Sequence, residues 1–259
     1  MSHPTFSCCF FFLSFFLSFF VTGWELGEHG EWCKHTNFDI ATRIPMMVYV
    51  PGVTAKRASR GKTFPFRDAL DKSLRYLQRK PQSEKVLSSE ALVEAVDLYA
   101  TVSELAGLRV PPTCPPDPFD VTFCTEGASL VPLIRNLTVT SFNEDDTEGL
   151  KWKPAVFSQY PRPSLVPGHD SMNPVLAHIR IMGYTMRTDE YRYTEWVAYN
   201  HTTFKADWSK VYARELYAYS SDPHEDVNVA EVAAFRDLGQ ALSRQLRAGW
   251  RKALPTPGA

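Results

Sequence analysis

Charge of one sign is what this sequence lacks: 28 basic residues stand against 29 acidic ones, for a formal net charge of -1. There is accordingly no global electrostatic reason to expect a nucleic acid or an anionic membrane as partner, although a polyanion can still bind at a local site. The chain also lacks internal repeats, and its longest apolar run, Cys8 to Val21, is too short to span a bilayer comfortably. Nor does it have the composition of a disordered chain. Hydrophobic residues make up 44% and charged residues 22% of the 259 residues, enough apolar material for a substantial core.

The apolar run is of signal-peptide length, but the positively charged start that normally precedes such a core is missing. Two readings stay open for residues 1–22: a signal-like leader, or translated intron, since Phe, Leu, Ser, Pro and Cys are what pyrimidine-rich codons specify. The five cysteines divide into Cys8 and Cys9 in the leader, Cys33 alone, and Cys114 with Cys124 in a proline-rich stretch. Only the last two look like partners, in a disulfide-closed surface loop; free thiols are the alternative. Two glycosylation sequons, Asn136-Leu137-Thr138 and Asn200-His201-Thr202, also suit a secretory route.

Past the leader, Gly23, Gly27 and Gly30 give a polar loop over Trp24–Asn37 the backbone freedom of a ligand-holding segment. Ile44–Val50 reads as a strand buried on both faces of an α/β sheet. Thr54–Lys85 reads as a flexible surface connection. A helix is expected from Ser89 as cap to Gly107 as stop. Residues 136–151 read as a linker. Beyond it, Lys153–Tyr160, Ile179–Thr188 and Tyr191–Tyr199 are aromatic and β-branched, with Asp189-Glu190 as a hairpin turn, so a small antiparallel sheet is expected. A closing helix carries Val232, Phe235, Leu238, Leu242, Leu246 and Trp250 on one stripe, with Asn228 as cap and Glu231 three residues on.

The stretch Trp24-Glu25-Leu26-Gly27-Glu28-His29-Gly30-Glu31-Trp32-Cys33-Lys34, followed by Phe38-Asp39-Ile40-Ala41-Thr42-Arg43-Ile44-Pro45 and the strand to Pro51-Gly52, resembles the late active-site segment of sulfatases. Glu215-Leu216-Tyr217 followed by Ser221-Asp222-Pro223-His224-Glu225-Asp226-Val227-Asn228 resembles the entry to the final helix in the same family. Ser158-Gln159-Tyr160-Pro161-Arg162-Pro163-Ser164, Ile181-Met182-Gly183-Tyr184, Tyr191-Arg192-Tyr193-Thr194 and the cysteine pair are most similar to the members that act on iduronate. The resemblance implies an alkaline-phosphatase-like α/β fold: a partial mixed sheet over residues 23–135, then a small α+β carboxy-terminal subdomain over 152–259.

It also implies a lysosomal sulfuric ester hydrolase removing 2-O-sulfate from the iduronate of dermatan and heparan sulfate. The family's nucleophile is a formylglycine made within a Cys-x-Pro-x-Arg type motif, assisted by calcium. No cysteine here carries that register. The family's Asp-His pair, two of its calcium ligands, falls at Val21-Thr22. The chain by itself is therefore expected to have no catalytic residue, no metal ligand and no turnover, with membrane association only if the leader is retained. A non-catalytic secreted module that binds sulfated glycans or a complete sulfatase is the alternative. What the resemblance carries over is substrate contact: Lys34 as a cation on a sulfate oxygen, and Trp24 either lining the pocket or packing its loop. His29 contacts substrate or ties its own loop together. Arg162 pairs with the substrate carboxylate or with a structural acid.

Overall fold

The computed structural model describes residues 16–19, 23–50, 53–54, 87–117, 121, 123–140, 150–168 and 171–255. The chain divides into two compact units, one of Met1–Ser18, Met46–Glu90 and Val131–Gly149, the other of Phe19–Pro45, Ala91–Leu130 and Leu150–Ala259. The connection expected over Thr54–Lys85 lies outside the described residues apart from Thr54, as does the leader apart from Phe16–Phe19.

In the first unit β1 (Phe16–Phe19) and β4 (Met46–Tyr49) form a two-stranded sheet. The expectation of a strand buried on both faces does not hold. Met46 and Val48 are half-buried while Met47 and Tyr49 are exposed, the period-two pattern of a strand covered on one side only. A turn follows, in which Val53 and Thr54 donate their N–H groups to the Val50 carbonyl and the Thr54 hydroxyl takes the Val50 N–H. Helix α3 (Val131–Thr140) buries Val131 and Ile134, three residues apart on one face, and its second half covers the first residues of the expected linker.

The second unit is built on a four-stranded antiparallel meander, β5 (Val156–Arg162), β6 (Ile181–Arg187), β7 (Tyr191–Asn200) and β8 (Lys205–Ala218), in sequence order. The β6–β7 turn is the expected Asp189-Glu190 pair, closed by Thr188 N–H donating to the Tyr191 carbonyl. The longest strand, β8, goes unforeseen, because Lys205–Arg214 interleaves charges and aromatics without clean alternation. Its register against β7 shifts around Val197, and such bulges break the period that would announce a strand.

One sheet face carries Met186, Tyr193 and Leu216 against Leu242 and Leu246 of α4 (Arg236–Ala248), with Ala155 and Ala253 completing the core. Each of these leucines, 4% exposed, contributes about 1.5–3 kcal/mol through burial. Of the expected stripe, Leu238, Leu242 and Leu246 lie on the helix and pack on this face with Phe235 just before it, whereas Val232 is 47% exposed and Trp250 lies beyond the helix; its start also differs. Asn228 accepts the Leu216 and Ala230 N–H groups and donates to the Arg214 carbonyl, tying down the edge of β8 instead of capping. The helix begins eight residues later, at Arg236, after a single 3-10 turn.

Helix α2 (Asp97–Leu105) likewise starts well after Ser89. The Asp97 carboxylate takes the Glu94 N–H, which makes Glu94 the effective cap. Lys153, its side chain 1% exposed, holds both carboxylates at 2.7 and 2.6 Å, so the first turn forms where that cation sits. Gly107 stops the helix as expected: its left-handed φ of 72 lets Leu108 N–H reach back to the Ser103 carbonyl.

Candidate functional site

The other face of the same sheet holds the segment that carries the candidate residues. Asn37, 4% exposed, donates to the Gly183 carbonyl of β6 and takes the Ser158 hydroxyl of β5. Asp39, in the single turn α1 (Asp39–Thr42), receives Arg187 at 2.8 Å. Phe38 stacks on the guanidinium of Arg192, which lies 4.5 Å from the ring centroids of both Phe38 and Tyr217. Arg192 pairs with Glu225 at 2.8 Å and Glu215 at 3.1 Å, and Glu225 also accepts the Asp39 N–H. Guanidinium, with its planar fork, suits this combination of stacking and pairing. The anchor is rigid because each buried charge has a partner.

From this anchor projects a short hairpin, β2 (Glu25–Leu26) paired with β3 (Trp32–Cys33). Its turn needs positive φ at Gly27 (122), His29 (55) and Gly30 (71), which explains the two glycines. At its base, a Cβ on Gly23 would sit 1.9 Å from the Ile40 carbonyl oxygen, so no other residue fits there. The register sets Glu25 opposite Cys33 and Leu26 opposite Trp32. Trp24 and Lys34 flank the paired strands at the open end of the hairpin, and Cys33, just before Lys34, has a positive φ of 91. Trp24 is 49% exposed, Lys34 is exposed, and Lys34 has no carboxylate partner among the described residues. An unpaired cation beside an exposed aromatic is a place where an anionic sugar ester can be held.

The remaining candidates are placed differently. His29 is sequestered: its ring faces the Glu25 carboxylate at 2.8 Å and the His224 carbonyl at 2.9 Å, and lies flat on Phe38 at 3.7 Å. Burial opposes its charge, but Glu25 and the His224 carbonyl outweigh it and raise the imidazole above its usual value. Arg162 lies 3.6 Å from Glu31 and about 5.5 Å from the rings of Tyr160 and Trp196, so its charge has a structural acid in reach. Cys114 and Cys124 form a disulfide, with Cα atoms 4.8 Å apart. Asn200 sits exposed at the β7–β8 turn, its carbonyl oxygen taking the Thr202 and Thr203 N–H groups; Asn136 lies within α3.

Glu25, Phe38 and Glu225, on which the hairpin depends, escaped the sequence reading. Their only signal was membership of the two quoted motifs. Among the described residues no three His, Cys, Asp or Glu side chains form a cluster that could hold a metal ion. A separate groove of about 520 Å³ runs between Phe157, Tyr184, Trp208 and Trp250; none of the hairpin residues lines it. No helix among the described residues is long and apolar enough to cross a membrane.

The structure has neighbours among solved proteins. BT4656, solved in complex with its substrate D-glucosamine-2-N,6-O-disulfate, superposes with a TM-score of 0.52 at 20% identity, over 95% of this chain and 36% of that one. The phosphonate monoester hydrolase of Agrobacterium radiobacter gives 0.50 at 17% identity, over 87% and 32%. The chain therefore has the α/β, alkaline-phosphatase-like fold of the sulfatases, in part. No family model matches it. Over 222 residues it is 43% identical to human iduronate 2-sulfatase, covering 85% of this chain and 39% of that protein. Over 209 residues it is 44% identical to the mouse enzyme, covering 80% and 36%. The chain is thus similar to iduronate 2-sulfatases and spans less than half the length of the curated relatives it matches.

Proposed function

We propose that the open end of the hairpin, flanked by Trp24 and Lys34, is a contact surface for the 2-O-sulfated iduronate of dermatan and heparan sulfate. The observation that carries this reading is the exposed Lys34 with no carboxylate partner among the described residues, at the same end of the hairpin as the exposed Trp24. A lysine so placed offers three donors to sulfate oxygens, and an indole offers an apolar platform to a sugar ring. Arg162, already beside Glu31, holds the loop and leaves the substrate carboxylate to other groups. His29, buried against Phe38, does not touch substrate. The exposed end of the β7–β8 turn suits glycosylation at Asn200 and, with the disulfide, a secretory route to the lysosome.

The chain in isolation turns over no ester. Sulfatase chemistry needs the formylglycine nucleophile and calcium, and the 259 residues supply neither a Cys-x-Pro-x-Arg register nor the Asp-His pair. What they supply is orientation and charge: a cation for the sulfate and a rigid base to hold it. Leu26 at 65% and Trp32 at 67% exposure favour a second reading, in which the same hairpin docks on a complete sulfatase. Retention of the purified chain on immobilised heparin at physiological salt, lost when the resin is desulfated, tests the first reading. Absence of retention together with co-purification of a complete sulfatase selects the second.

A further inference from the structure

We propose that His29 and Glu25 form an acid-set latch that positions the hairpin, holding Trp24 and Lys34 in place only while the pair keeps both of its protons. The geometry states the requirement. Nδ1 of His29 faces the Glu25 carboxylate at 2.8 Å, and Nε2 faces the His224 carbonyl oxygen at 2.9 Å. A neutral imidazole has one N–H, and both of its nitrogens here face acceptors. Both bonds form when the ring is an imidazolium beside a carboxylate, or when Glu25 is protonated and donates to Nδ1 while Nε2–H donates to His224. Either placement needs two protons in the pair. Removing one breaks one of the two bonds, either that to the buried Glu25 carboxylate or that to the exposed His224 carbonyl.

The loss is costly on the Glu25 side. The Glu25 side chain is fully buried and that of His29 is 8% exposed, so water does not readily replace a donor lost there, whereas the His224 carbonyl is exposed. Oε2 of Glu25 already lacks a partner. Of the charges that face the pair, Glu28 and Glu31 lie on its own hairpin, and Glu225 lies on the loop that supplies the His224 carbonyl. Arg192 of β7 stands behind the Phe38 ring on which His29 stacks. The acids outnumber the one screened cation, so the surroundings favour retention of the proton. Consistently, burial raises the Glu25 carboxyl, and His29 is raised as well.

The sign follows. A histidine held above its ordinary value stabilises the folded hairpin below that value, and this contribution is lost as pH rises through the folded value. The latch joins the hairpin to the loop after β8 across 195 residues of sequence, so its loss frees the hairpin turn and, with it, the strand pairing that Trp24 and Lys34 flank. His29 is a positioning residue in this account. The inference extends the reading of the hairpin end as a glycan contact, and the two fail separately.

The test is amide hydrogen exchange on the full chain from pH about 5 to about 8, corrected for intrinsic rates, followed at the hairpin amides of Gly27, Gly30 and Glu31. NMR titration of the His29 ring, assigned by comparison with His29→Gln, runs in parallel. Protection should fall about tenfold across the midpoint of the His29 titration, as expected when one charge-assisted bond is lost. In His29→Gln it should be low and flat, and in Glu25→Gln the midpoint should move down. Pairing protection that does not change with pH, or a His29 midpoint at or below that of a free histidine, overturns the latch, and the wild-type chain alone decides this if a variant fails to fold. Binding of a 2-O-sulfated iduronate disaccharide is measured on the same samples. Failure to bind with the protection profile intact refutes the glycan reading and leaves the latch standing.

Discussion

Replacing Glu195 should unfasten the closing helix from the sheet. Its side chain is fully buried, and five bonds converge on it: Oε1 accepts Tyr193 at 2.9 Å, Ser243 at 2.9 Å and Arg214 at 3.4 Å, while Oε2 accepts Nε and Nη2 of Arg247 at 3.0 and 2.8 Å. Burial works to raise this carboxyl, but the bonds from Arg247, Ser243 and Tyr193 outweigh it and hold it below its usual range. Arg214 and Arg247 are 44% and 37% exposed, so water can replace part of what they lose, and their share is discounted. Tyr193 has no such recourse on the buried side, and Ser243 is half-buried. Glu195→Ala removes the acceptor of one buried and one half-buried hydroxyl, about 1–3 kcal/mol for the buried one, and opens a cavity in the core. The sum is about 3–5 kcal/mol, of the size found when one partner of a buried ion pair is removed. Glu195→Gln keeps volume and one acceptor, and should cost about 1–3 kcal/mol. Urea unfolding followed by far-ultraviolet circular dichroism measures both. Because the carboxyl is depressed, its contribution is present above the unfolded value near 4.5 and is lost as pH falls through the folded value, so Glu195→Gln should also flatten the acid limb of the stability curve. A Glu195→Ala chain within about 1 kcal/mol of the parent would refute the assignment of Glu195 as the fastening of α4.

Lys153→Met leaves Glu94 and Asp97 facing each other without their cation; a loss of about 3–5 kcal/mol is expected by chemical denaturation, with Lys153→Met/Asp97→Asn recovering part of it. Gly183→Ala places a Cβ 2.7 Å from the Trp196 ring, and should cost about 1–3 kcal/mol with a change in tryptophan fluorescence. Removing the Cys114–Cys124 bridge by paired serine substitution opens a loop of separation 10; a loss of about 2–3 kcal/mol is expected, read as a lower thermal midpoint. Arg251, which donates to the Cys114 and Pro115 carbonyls, should then become more accessible to arginine-directed modification.

The sheet was legible in sequence where one face is apolar and the turn is short, as at β6 and β7 around Asp189-Glu190. It was illegible at β8, where bulges break the alternation, and at the start of α2, where a lysine more than fifty residues away decides which carboxylate begins the helix. Asn228 has the spacing of a cap, yet its amide is drawn to β8, a competition that local pattern cannot weigh. The hairpin was legible as a loop through its glycines. That Lys34 and Trp24 flank the same end of a paired hairpin follows only from the strand pairing. Nor could the latch be foreseen, since His224 and Glu225 approach His29 only once β7 and β8 are in place.

The claim on which the account rests is that the Trp24–Lys34 end of the hairpin holds a sulfate ester. Calorimetric titration of the full chain with a 2-O-sulfated iduronate disaccharide and with its desulfated counterpart, at pH about 5, tests it directly. Binding should require the sulfate and should weaken about tenfold or more in Lys34→Met, the loss of one charge-assisted contact. Equal affinity for the two disaccharides, or affinity unchanged in Lys34→Met, would contradict it.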